Sequence, residues 1–74
     1  MEENEIKARL LEKNQEFRKA FDQHQMLEKK LSAFHEKNYL TEEEKLEEKQ
    51  FKKKKLLLKD KMYVMISEFR RSVE

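Results

Sequence analysis

The chemistry available to this chain lies in His24 and His35, in the hydroxyls of Ser32, Thr41 and Ser72, and in the lysine-rich segment from Lys49 to Lys61. The two histidines return to nearly the same face of a helix, but about 16 Å apart along its axis, so they cannot chelate one ion within one chain. Only an ion shared between copies could use both. The chain has no cysteine, which removes thiolate metal sites and disulfides and fits a reducing cytoplasm. No metal ligand set is therefore expected. Each hydroxyl has an ordinary place: Ser32 on a helix surface, Thr41 as a cap, Ser72 near a terminus. There is no glycine to cradle a phosphate, and a helical rod offers no concave pocket that excludes water. Catalytic residues and cofactors are accordingly not expected, and the chain reads as a non-enzyme.

The lysines pose a sharper question. Lys49, Lys52, Lys53, Lys54, Lys55, Lys59 and Lys61 face one nearby acid, Asp60, and could contact several phosphates of a nucleic acid. Lys52, Lys53, Lys54, Lys55 and Lys59 are the candidate phosphate-binding residues. Against this, four consecutive lysines point all around a helix, and no arginine in the segment reads base edges. The acidic run Glu42 to Glu48 would repel a phosphate chain lying along the same rod. A solvated face, with pairs such as Glu48 and Lys52 one turn apart, is the preferred reading. Low-specificity nucleic-acid binding is the alternative.

The elements that position these residues are read from composition and periodicity. Charged residues make up 46% of the 74-residue chain, yet glycine and proline are absent and the charges are good helix formers around a periodic apolar stripe. Long helices follow. Ile6, Leu10, Lys13, Phe17, Ala20, His24, Leu27, Leu31 and Phe34 recur in alternating steps of four and three, with Phe21 beside them. This predicts one helix over about 3–36, in which Lys13 and His24 interrupt the stripe. The same repeat runs through Phe51, Lys55, Leu58, Met62, Met65 and Phe69, and backwards through Glu48 and Glu44, predicting a helix over about 42–71. Between them, about 37–41, lies a turn. Thr41 and Glu44 form a capping box that starts the second helix, and Asn38 is the expected left-handed residue that ends the first.

Two stretches resemble the YdcH-like family of short bacterial proteins of unknown function. Phe17 to Leu31 is similar to the family's first-helix motif, an aromatic followed by a histidine and then Leu-acid-x-x-aliphatic, carried here by His24, Leu27, Glu28 and Leu31. Leu46 to Met62, with Leu56-Leu57-Leu58-Lys59-Asp60, is similar to its second motif. Ala20, Glu28 and Glu48 stand where the family more often has leucine, aspartate and an aliphatic residue. The resemblance implies a helical hairpin and no established activity.

The fold expected is all-α: a single domain of two long helices in an antiparallel coiled-coil hairpin, able to pair into a four-helix assembly. Folding at Asn38 to Leu40 brings Phe17 near Met62, Phe21 near Leu58, Leu27 near Phe51, Leu10 near Phe69, and His24 opposite Lys54 and Lys55 as a polar layer that sets register. Leu46, Leu57 and Val64 then lie on the far side of the second helix, with Leu56 and Tyr63 on a flank. A two-helix hairpin cannot bury opposite faces of one helix, so Leu46, Leu57, Tyr63 and Val64 are the candidate contacts to another copy or a helical partner. The longest apolar run is Met62 to Ile66, too short to span a membrane or to act as a secretory signal, and a cytoplasmic protein without a small-molecule substrate is expected.

Overall fold

The computed structural model describes residues 2–73. These fold into three helices, α1 (Glu3–Lys13), α2 (Gln15–His35) and α3 (Glu42–Val73), with no strand among them. The first expected helix is thus two helices. The chain leaves helical geometry at Asn14 (φ −117°, ψ 109°), which ends α1 and caps α2. Its amide still donates to Leu10 O at 2.8 Å, while its Oδ1 accepts from the Phe17 amide at 3.0 Å. Arg18 completes the joint: Nε donates to Leu11 O and Nη2 to Glu12 O, both at 2.8 Å, satisfying carbonyls left open where α1 stops. Lys13, expected in the stripe, is exposed beside this break.

The break redirects α1. Glu3 and Lys7 line the same cleft as Phe21, His24 and Tyr63. A straight continuation would carry Glu3 about 27 Å past Phe21 along the axis, so α1 doubles back at Asn14 and packs on α2 and α3. There Ile6 and Leu10 join Phe17 and Ile66 in one buried cluster, with Leu11, Met62, Met65 and Phe69 packed against it. Ile6 and Phe17 are essentially inaccessible, at 0% and 1% exposure. Burying a side chain of this size contributes about 1.5–3 kcal/mol, a large share of what one small core supplies.

Further along, Ala20, Leu27 and Leu31 of α2 are buried. The expected α3 stripe faces inward as a set: Glu44, Glu48, Phe51, Lys55, Leu58, Met62, Met65 and Phe69 are all half-buried. Its partners near the turn differ from the expected ones. Phe51 stacks on Phe34, ring centroids 5.9 Å apart, where Leu27 was expected beside it. Glu28 pairs with Lys55 at 3.3 Å, His35 with Glu48 at 3.6 Å and Glu16 with Lys61 at 3.1 Å. The connection is the reason. It runs from Glu36 to Thr41, and the right-handed conformation persists at Glu36 (φ −80°, ψ −13°). Among the described residues no non-glycine residue has positive φ, so Asn38 is not left-handed. The reversal is spread over the segment, and the last α2 carbonyls are used instead by the amides of Glu36 and Lys37.

The capping box is present. Glu44 N donates to Thr41 Oγ1 at 3.1 Å and Thr41 N donates to Glu44 Oε1 at 3.0 Å. Lys37 also binds the Glu44 carboxylate, and this contact, followed by the Thr41 amide, holds the Glu44 carboxyl below its ordinary value of 4.5.

Two outcomes are expected from this arrangement. Ile6→Ala should lower the unfolding free energy by about 2–5 kcal/mol in urea titrations followed by circular dichroism, while Arg9→Ala on the exposed side of α1 should change it by less than about 0.5 kcal/mol. Equal effects would mean that α1 is not docked. Because the Glu44 carboxyl is depressed in the folded state, its stabilisation is present above the unfolded value and fades as pH falls through the folded one. The melting temperature of the native chain should therefore exceed that of Glu44→Gln at pH 7, and the gap should close in acid.

Candidate functional site

Among the described residues most of the exposed large apolar side chains lie on α3: Leu46, Leu56, Leu57, Tyr63, Val64 and Val73. At 100° per residue, Leu46, Leu57 and Val64 share a face directed away from the half-buried stripe, and Tyr63 and Leu56 border it. Leu46, Leu57, Tyr63 and Val64 are 59%, 62%, 61% and 55% exposed, and Leu56 is 59% exposed. These four residues, predicted from the sequence as partner contacts, thus all lie on α3, Leu46, Leu57 and Val64 on its open side and Tyr63 on the flank beside the α1 cleft. Leu46, Leu57 and Val64 are directed away from the cleft where α1 meets α2 and α3, whereas Tyr63 borders that cleft together with Glu3 and Lys7 of α1. Leu46 also borders a hollow with Tyr39 and Leu40, beside the turn.

The lysine segment is divided by the fold. Lys52, Lys53, Lys54 and Lys59 are exposed and Lys55 is half-buried. Lys55 pairs with Glu28, and Lys52 lies 3.9 Å from Glu48 on its own helix. Lys61 reaches Glu16 on α2. Lys30 sits 5.3 Å above the Phe51 ring, a cation–π contact that adds to the junction of α2 and α3. Part of the positive charge is therefore matched by acids of the same chain, and the remainder points in several directions around α3. Pairs as exposed as Lys52 and Glu48 contribute little to stability.

One concave feature was not visible in the sequence. A cleft of about 260 Å³ opens where α1 folds back, lined by Lys7, Phe21, His24, Lys55, Lys59 and Tyr63 among others. His24 and Lys55 do face the same space, as the expected register places them. His24 Nε2 is buried with no hydrogen-bond partner among the described residues. His35 lies near the turn beside Glu48, so the two histidines occupy separate places. Among the described residues no group of three or more His, Asp or Glu side chains is placed to hold a metal ion. Of the hydroxyls, Thr41 is engaged in the capping box and Ser72 Oγ donates to Phe69 O at 2.9 Å. No helix among the described residues is long and apolar enough to cross a membrane.

The helical architecture, the aromatic-to-histidine motif of α2 and the leucine-rich motif of α3 define a class of small helical proteins. The chain belongs to the family described as protein of unknown function (DUF465), whose model matches residues 17–66. YdcH-like proteins are members of that family. The match spans nearly all of α2 and most of α3, and α1 lies outside it. Comparison with curated proteins and with solved structures finds no significant match.

His24 provides a direct test of the polar layer. Leaving a buried polar atom without a partner costs about 1–3 kcal/mol, so His24→Leu should raise the melting temperature, and His24→Gln should not. A fall in stability with leucine would show that the imidazole is satisfied in solution.

Proposed function

We propose that this protein is a small non-enzymatic, cytoplasmic helical interaction module that self-associates or binds a helical protein partner. In this reading α2 and α3 form an antiparallel coiled-coil hairpin, and the outer face of α3 is the contact surface, able to complete a four-helix assembly. The hairpin is supported by the order of the cross-helix pairs: Glu16 with Lys61, Glu28 with Lys55, and His35 with Glu48. As the position rises along α2 it falls along α3. The repeat of apolar steps on both helices supports a coiled-coil seam.

The observation that carries the functional reading is the strip Leu46, Leu57 and Val64, with Tyr63 on the adjoining flank, all more than half exposed on one helix. Single exposed apolar residues are ordinary, but a row of them recurring on one side of a helix is what helix-to-helix recognition uses. A chain this small also gains more from association than a large one, because its own core is limited. The ion pairs that occupy Lys52, Lys55 and Lys61 weigh against nucleic acid as the first choice of partner.

The test is a double substitution, Leu57→Glu with Val64→Glu, examined by sedimentation equilibrium and circular dichroism. Association should be lost while helical content stays near that of the native chain. The native association should persist at high salt, since apolar burial is strengthened or unchanged there and phosphate contacts are weakened. A monomer that gains mass only with a short duplex at low salt would replace this reading with nucleic-acid binding.

A further inference from the structure

The charges around the apolar strip specify its occupant. Lys53 and Asp60 lie on the same outward face as Leu46, Leu57 and Val64, at coiled-coil spacing, and both are exposed. Asp60 is the sole carboxylate between Glu48 and Glu68. Neither Lys53 nor Asp60 enters an ion pair among the described residues, although five lysine–carboxylate pairs form there, an exposed one between Glu42 and Lys45 among them. Toward the ends of the same face stand Glu42 and Arg71, one acidic and one basic.

Resting on the self-association reading above, we infer that the outer face of α3 pairs with the same face of a second copy, antiparallel, about a two-fold axis near the Leu56–Leu57 step. One axis at that position sets Lys53 opposite Asp60 of the other copy and, by the same operation, Glu42 opposite Arg71. Leu56 is set opposite Leu57 of the other copy at the centre, each also within about one residue of its own counterpart, and Leu46 comes within about one helical turn of Val64 on the other copy. A parallel pairing would instead stack each lysine on its equivalent and the acidic start of α3 on itself, which is unfavourable. The contact is isologous, so two copies close the assembly and leave no repeating edge. A foreign helix would need this charge order by coincidence; a second copy has it by symmetry.

The absence of cysteine makes the arrangement directly measurable by single introduced thiols and a short bismaleimide linker. Sedimentation should first show a dimer. Within it Leu57→Cys should cross-link to itself, Leu46→Cys and Val64→Cys should each fail to self-link, and an equimolar mixture of those two should link to one another. Lys53→Asp and Asp60→Lys should each weaken the dimer about tenfold, and the two changes combined in one chain should restore it. A dimer in which Leu46→Cys links to itself overturns the antiparallel pairing while leaving self-association in place. A chain that stays monomeric overturns both.

Discussion

Burial of Ile6 against Phe17 and Ile66 is the contact on which the rest of the molecule depends, because it joins all three helices at one point. It exists only because the chain bends at Asn14. Had α1 continued α2, Ile6 would have lain far from Phe17, and Ile66, which sits off the main α3 stripe, would have had nothing to cover it. The bend is held from both sides: the Asn14 carboxamide starts α2, and the Arg18 guanidinium closes α1. Hydrogen bonds of this kind are modest singly, but here they direct an apolar contact that is not. A long rod with a thin seam thereby gains a three-helix cluster at one end.

The consequence is unequal burial between the two main helices. Phe17, Ala20, Leu27 and Leu31 of α2 are buried, whereas α3 buries Ile66 alone. Every position of the α3 stripe remains half open, and its outer face carries exposed apolar residues as well. α3 is also the longest element, so most of the unburied apolar surface of the molecule belongs to it. Polar contacts along the seam do not offset this, since the pairs Glu28–Lys55 and Glu16–Lys61 are largely solvated.

Periodicity carried the inward faces correctly because side-chain direction on a helix follows from spacing alone. Thus Glu44 and Lys55, which no hydrophobicity scale would place inward, are half-buried where the repeat puts them. Spacing says nothing about where a helix pauses when the repeat continues in phase on both sides. The signal at Asn14 is local: a capping residue followed by Glu16 in the first turn of α2, overshadowed by the strong repeat around it. With the pause overlooked, the return of α1, the buried role of Ile66 and the cleft at His24 could not be foreseen. The stacking of Phe51 on Phe34 is not legible in the repeat for a related reason. Cross-helix register depends on the shape of the connection, and the connection adopts no left-handed residue despite Asn38. The exposure of Leu46, Leu57, Tyr63 and Val64 is legible in the sequence, because it follows once the inward stripe is assigned.

Charges near the middle of the two faces of α3 are arranged differently. On the inner side acids and bases find partners within the chain: Glu48 meets His35 and Lys52, and Lys55 meets Glu28. On the outer side Lys53 and Asp60 stand among leucine and valine without such partners among the described residues. A face adapted only to water gains nothing from apolar residues at regular spacing, and a face adapted only to phosphate gains nothing from Asp60. An apolar row with opposite charges set symmetrically about its middle satisfies neither demand. It is the arrangement on which the proposed antiparallel pairing with a second copy rests: there the apolar row would supply the attraction and the charges the direction.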